Sequence, residues 1–345
     1  MKKSSMSRLL ALALSASIPL AAPVAMAAEG PGAGTTVKMA QASWDTGWFP
    51  AQIYKQLLEK LDYTVEGPTT LDNPPFYQAV AQGDLDFWVN GWFPTHNSYE
   101  STYSQGAELV GAVAKGGALE GYLVDKASVE KFDIKSLEDF KRDEVKEAFD
   151  RDGDGKADLV ACPPGWGCEI NIAHHLEAYG LLDHVNPIKA SYTASMADAV
   201  AAYGEGKSIL FYTWTPNWTV DTLKPGEDVM WIEVPEVNLP EAMKDLEDAA
   251  TVEGVEGCVN DPCKLGFPAN DIRPVANSEF LDENPAVRAL LETASIPITD
   301  IFSQNAKMNN GEGDPEDVAR HASEWIEAHA DLVDGWLEEA RAAAN

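Results

Sequence analysis

Three tryptophans stand in three short, similar settings: Asn90-Gly91-Trp92-Phe93-Pro94, Pro164-Gly165-Trp166-Gly167-Cys168 and Tyr212-Thr213-Trp214-Thr215-Pro216. Gly or Pro beside each indole points to a loop or strand end rather than a helix interior. Indole rings gathered at strand ends are the material of an aromatic cage. A quaternary ammonium ion has no N–H to donate, so it is gripped by cation–π and dispersion contacts, which such a cage supplies. His96 follows Trp92 by four residues, and its ring N–H can donate to a carboxylate. The turn at Gly165-Trp166 opens a predicted helix, so the amides of Gly167 and Cys168 are placed to face an anion. A zwitterion with a methylated ammonium head and a carboxylate tail uses both ends of such a site.

Other tryptophans weigh less. Trp44 and Trp48, in Ser43-Trp44-Asp45-Thr46-Gly47-Trp48, follow a predicted strand and are second-rank candidates for the same cleft. Trp88, Trp231, Trp325 and Trp336 fall in strand or helix patterns and read as packing residues, as does Trp218. No GxSxG elbow, P-loop or HExxH appears, and no nucleophile–base pair can be named. His174 and His175 are adjacent on a predicted helix and so point apart, a poor metal pair.

One stretch has metal-loop spacing. Asp150, Asp152, Asp154 and Asp158 fall at positions 1, 3, 5 and 9 of a calcium loop, with Gly155 at 6 and Lys156 at the backbone-carbonyl position 7. Position 12 is Ala161, so the bidentate carboxylate is missing. A structural calcium site and a solvated acidic turn both fit this pattern. Four cysteines lie in two close pairs, Cys162/Cys168 and Cys258/Cys263. In an oxidising compartment two local disulfides are the default, Cys162–Cys168 and Cys258–Cys263. A four-thiolate zinc site lacks its usual CxxC spacing.

The elements that must position these residues can be read from periodicity. Thr36 to Ala42 predicts a strand, Pro50 to Leu61 a helix, Tyr63 to Val65 a strand, Pro74 to Gln82 a helix, and Leu85 to Val89 a buried strand. This βαβαβ rhythm predicts a parallel sheet with helices on both faces, and ligands bind beyond the carboxyl ends of such strands. Tyr122-Leu123-Val124 then begins a second lobe. It holds helices near 136–143, 169–179 and 195–204, the Ser208–Tyr212 strand and a return strand at Met230–Val234. Helical segments at 284–293 and 315–344 complete the first lobe. The expected fold is α/β and bilobal, of the type II periplasmic binding protein kind. Lobe I is 28–121 with 234–345 and lobe II is 122–233, joined by a two-crossover hinge around a cleft.

Residues 1–27 read as a secretory signal: Lys2, Lys3 and Arg8, an apolar run from Leu9 to Ala22, and cleavage after Ala27. No cysteine at that site suggests a lipid anchor, so the expected destination is the periplasm. Removing those three cations from the full-chain charge of −31 leaves −34. Such a charge argues against nucleic acid and anionic membrane surfaces as partners and suits solubility in a salty medium.

At these residues the chain resembles the periplasmic glycine betaine/proline betaine-binding proteins (ProX type) of osmoprotectant ABC importers. The resemblance is carried by 58–65, 150–159, Cys162 to Glu169, and Phe211 to Pro216. Leu265-Gly266-Phe267-Pro268 and Asn305-Ala306-Lys307-Met308 add to it. It implies a non-enzymatic receptor that delivers its ligand to an inner-membrane permease with a cytoplasmic ATPase and needs no cofactor. It also implies a cage of Trp92, Trp166 and Trp214 around the ammonium, with His96 and the amides of Gly167 and Cys168 on the carboxylate. Gly91 with Phe93, Trp44, Trp48 and the second cysteine pair depart from the family pattern. They open the ligand spectrum to choline, carnitine or dimethylsulfoniopropionate. The rival expectation, an exported enzyme on the same fold, finds no catalytic constellation in the sequence.

Overall fold

The computed structural model describes residues 30–344. The expected signal segment and its cleavage site lie outside the described residues. The strands are β1 Thr36–Ala42, β2 Thr64–Leu71, β3 Phe87–Phe93, β4 Ala107–Leu109, β5 Ala114–Ala118, β6 Glu120–Asp125, β7 Ala157–Val160, β8 Val185–Ile188, β9 Leu210–Trp214, β10 Val229–Ile232, β11 Thr251–Val252, β12 Cys263–Lys264 and β13 Asn270–Asn277. One sheet has the order β2-β1-β3-β13-β4, with β5 also on β13; the other has the order β10-β6-β9-β7-β8. A separate β11-β12 hairpin stands apart.

Every residue of β3 is buried, as its near-continuous apolar run requires of a central strand. The helix Trp48–Glu59 lays Phe49, Ile53, Tyr54, Leu57 and Leu58 on the first sheet at i, i+4, i+8 spacing. The predicted helix before β3 begins with Pro74-Pro75 in its first turn, where a missing N–H costs nothing.

The sheets differ from the parallel expectation. β1 pairs in parallel with β2 and β3, but β13 runs antiparallel to β3, β4 and β5. In the second sheet β6 is antiparallel to both β9 and β10, while β7 is parallel to β8 and β9. The reason is the route of the chain. A lobe that is left and re-entered closes its sheet with a strand arriving from the other side, and β13 is that strand. Its sequence, Asn-Asp-Ile-Arg-Pro-Val-Ala-Asn, is interrupted by a proline and hides its strand character.

Trp231 N–H donates to Gly257 O, Val259 N–H to Trp231 O, and Val234 N–H to Lys264 O. These bonds tie segments of the stretch through Lys264 to β10 and the residues just after it, and β13 pairs with the first sheet from Asn270. The expected single C-terminal helical segment is two helices, Pro315–Ala328 and Ala330–Ala343, with His329 between them. Trp325 and Trp336 stack across that corner with ring centroids 6.2 Å apart, and Trp88 and Trp231 are fully buried packing residues.

Candidate functional site

The two sheets meet at a cavity lined by Trp44, Trp92, Thr95, His96, Glu120, Trp166, Gly167, Cys168, Tyr212 and Trp214. All six first-rank candidates from the sequence are brought together there. Trp92 and Trp214 sit at the last turns of β3 and β9, inside the strands rather than beyond them. Both predicted strands run longer than their apolar cores because the indoles themselves carry the pattern on.

Trp44 joins the three. Its ring lies 5.4 Å from Trp166 at 66°, and Trp166 lies 5.6 Å from Trp214 at 75°. These near-perpendicular packings set indole edge against indole face around the cavity. Each indole N–H is anchored outward, which fixes the rings. Trp44 and Trp92 both donate to Asn90 Oδ1, Trp166 donates to Ser43 Oγ at 3.0 Å, and Trp214 to Thr46 Oγ1 at 3.3 Å. Trp48 is not part of this cavity. Its N–H donates to Ala42 O, and its ring lines an adjoining pocket that shares Trp44, Trp166 and Trp214 with the first and adds Asp45, Asp72, Tyr192 and Trp218.

His96 is held inside the wall. The backbone N–H of Trp92 donates to its Nδ1 at 3.1 Å, and the Tyr77 hydroxyl lies 2.7 Å from the same nitrogen. A backbone N–H can only donate, so Nδ1 is an acceptor and the ring proton sits on Nε2. The Asn73 amide lies 3.0 Å from Nε2, while its Oδ1 is buried without a partner. Turning that amide over puts Oδ1 opposite the Nε2 proton and satisfies both atoms. Burial pushes the imidazole down to about 3, so it is neutral at physiological pH. His96 can offer one N–H but no charge, and an incoming carboxylate competes with Asn73 for it.

Gly167 and Cys168 open the helix Gly167–Ala178, with Trp166 as its cap and Gly165 turning the chain at φ +91°. A Cβ on Gly167 would stand 2.7 Å from His96 Cδ2 and 3.1 Å from Thr95 Cγ2. Glycine is required because the helix start approaches the imidazole this closely. Cys168 is bonded to Cys162, and Cys258 to Cys263, each with 6.1 Å between Cα atoms.

Two lining residues escaped the sequence reading. Tyr212 precedes Trp214 by two residues on one strand, so it shares its face; that spacing was the available signal. Glu120 opens β6, directly opposite Trp214, and is buried. Thr95 Oγ1 donates to its Oε2 at 2.6 Å, Asn270 Nδ2 to the same oxygen at 2.8 Å, and the Tyr212 hydroxyl to Oε1. Burial raises its pKa against those three donors. A lone acidic residue among 56 gives no sequence signal.

Away from the cleft, Asp150, Asp152 and Asp158 bring carboxylate oxygens within 4.8 Å of one another. Asp158 Oδ1 is buried without a partner, while Oδ2 accepts from Arg151 N–H. Asp154 is outside this cluster: its Oδ1 accepts from the backbone N–H of Lys156, whose ammonium reaches Leu182 O. Asp150 and Asp152 likewise accept from loop amides, those of Gly153, Gly155 and Asp154.

Over residues 35–328 the chain matches the family described as the substrate binding domain of ABC-type glycine betaine transport system. It is 40% identical over 316 residues to the glycine betaine-binding periplasmic protein OusX of Dickeya dadantii, covering 91% of this chain and 92% of that protein. It is 37% identical over 318 residues to the glycine betaine/proline betaine-binding periplasmic protein of Escherichia coli, covering 92% and 93%. Among solved structures it resembles lactococcal OpuAC in its closed-liganded conformation with glycine betaine, with a TM-score of 0.65 and 20% identity over 88% of this chain and 99% of that one.

Proposed function

The chain belongs to the family of substrate-binding domains of ABC-type glycine betaine transport systems, and from that premise we propose that it captures methylated ammonium osmolytes of the betaine class in the cage between its lobes. The family is a substrate-binding component of ABC importers, not an enzyme, and its binding function needs no cofactor. The observation that carries the ligand reading is the set of four indoles around one cavity, each with its N–H tied outward so that only ring faces remain for the ligand.

In this reading Trp44, Trp92, Trp166 and Trp214 hold the ammonium. His96 Nε2–H and the amides of Gly167 and Cys168 hold the oxygen-bearing tail. Trp48 takes no part in the cage. Lobe closure completes the site, because Trp166 and Trp214 come from the second lobe and Trp44 and Trp92 from the first. Ligand binding then shifts the molecule toward the closed form. The mature protein works in the periplasm, as its relatives do, and hands its ligand to an inner-membrane permease driven by a cytoplasmic ATPase. Neither nucleic acid nor a membrane surface suits so acidic a chain.

The division proposed for the lobes is 28–121 with the segment from Asn270 onward, against 122 to about Lys264. The acidic loop is proposed to hold calcium as a structural staple through Asp150, Asp152 and Asp158. Its support is the buried Asp158 oxygen that has no other partner. Calorimetric titration of the mature protein with glycine betaine, proline betaine, choline and carnitine tests the ligand reading. Saturable one-to-one binding of at least one of them is expected; heat of dilution alone for all four rejects it.

A further inference from the structure

Glu120 is the one carboxylate that lines the cage cavity. It stands beside the end assigned to the ligand's tail: Thr95, which donates to it, neighbours His96 and lies against the Gly167 position. Thr95 and Asn270 occupy both lone pairs of Oε2, whereas Oε1 accepts from Tyr212 alone. One lone-pair site on Oε1 is thus left, and among the described residues no lysine or arginine forms an ion pair with this group. A ligand carboxylate entering here meets a like charge in a cavity shielded from water.

We propose that Glu120 selects the ligand by charge. Ionised, it favours a methylated ammonium whose tail is a hydroxyl, which donates to Oε1. A carboxylate-tailed zwitterion is admitted with Glu120 protonated, the Oε1–H donating to that carboxylate. Each carboxylate ligand therefore takes up one proton from solvent on binding and returns it on release. The proposal rests on the reading that the cage holds a methylated ammonium, and it narrows that reading to a ligand subclass.

The surroundings isolate this titration. Tyr212 and Tyr122, which face Glu120 from β9 and β6, are held protonated well above neutral pH, and His96 stays neutral. Burial raises the pKa of Glu120 itself, against the three hydrogen bonds that lower it. Asp45, near the cleft, is raised to about 6 by burial in the adjoining pocket. It is controlled by D45N.

The sign follows from linkage. Where free Glu120 is ionised, a ligand that binds only the protonated form loses about tenfold in affinity per pH unit of increase. Calorimetric titrations of the mature protein with glycine betaine and choline between pH 5 and pH 9 read this directly. Glycine betaine is expected to weaken with rising pH and choline to hold level or strengthen. Measured in two buffers of different ionisation enthalpy, glycine betaine binding should show proton uptake and choline binding none. E120Q is nearly isosteric and should flatten the glycine betaine profile and weaken choline roughly tenfold, the worth of a hydrogen bond to a charged group. D45N should leave the glycine betaine slope in place.

A level glycine betaine profile in the parent protein overturns the proposal without any variant. A slope that survives E120Q and vanishes in D45N overturns it too. Binding of neither ligand by the parent overturns this proposal, and with proline betaine and carnitine silent as well it rejects the cage reading itself. Tight glycine betaine binding without proton uptake rejects this proposal alone.

Discussion

The cage is built from side chains whose polar atoms are all satisfied away from the ligand. Asn90 Oδ1 takes two indole N–H groups, so one amide orients both Trp44 and Trp92. A desolvated cation–π contact is worth about 2 kcal/mol, or roughly thirtyfold in affinity. Replacing Trp44, Trp92, Trp166 or Trp214 by Ala is expected to cost at least that in calorimetric titration, and replacement by Phe less, since a π face remains. Parent-like affinity in all four Ala variants would remove the cage from the account. Gly167→Ala tests the opposite end. Its Cβ would press on His96 Cδ2 at 2.7 Å and force the imidazole from its place. Tenfold or greater loss of a carboxylate ligand is expected, with Tm little changed. Unaltered binding would mean that the helix start shifts freely and does not define the tail site.

Secondary-structure elements position these residues by their ends. β3 carries Trp92 one residue before its end, β9 finishes on Trp214, and the helix Gly167–Ala178 begins beside Trp166. The Cys162–Cys168 bond ties the end of β7 to that helix start, so the turn between them has few conformations to lose when ligand arrives. The acidic loop joins the helix Asp143–Phe149 to β7 at the far side of the lobe. If it holds calcium, chelation is expected to lower Tm by several degrees and D158N to abolish that response, with ligand preference unaffected. The same Tm with calcium and with chelator, measured by differential scanning fluorimetry, would show the loop to be a solvated turn.

Between the lobes, hydrogen bonds run beside ring contacts such as that of Trp44 with Trp166. Trp166 and Trp214 of the second lobe donate to Ser43 and Thr46 of the loop after β1, and the Ser43 hydroxyl donates in turn to Asp72. Two of the indoles proposed to hold the ligand are thus also donors that bridge the lobes. A hydrogen bond contributes about 1 kcal/mol net. The double variant Ser43→Ala/Thr46→Val is therefore expected to weaken every ligand by roughly tenfold or more and to enlarge the ligand-free radius of gyration in small-angle scattering. A uniform loss across ligands separates closure from recognition. Parent affinity and an unchanged scattering profile would show that these bonds do not hold the closed form.

The sequence by itself determined the α/β class, the two lobes, the close cysteine pairs and three of the four indoles. Each of these is written in local pattern: apolar runs, Gly and Pro beside Trp, and cysteines five or six residues apart. Tertiary structure decided what depends on distant partners. Trp44 and Trp48 stand in one short segment with similar neighbours, yet only the Trp44 indole reaches Asn90, 46 residues on, and turns into the cage. β13 was hidden because its burial comes from β3 on one side and β4 and β5 on the other, not from its own mixed composition. Glu120 was invisible for the same reason. A glutamate becomes a buried, singular group only when Thr95, Tyr212 and Asn270, from three separate parts of the chain, close around it. Local periodicity reports which residues leave water, but the identity of the atoms they meet is fixed by chain crossings that no short window contains.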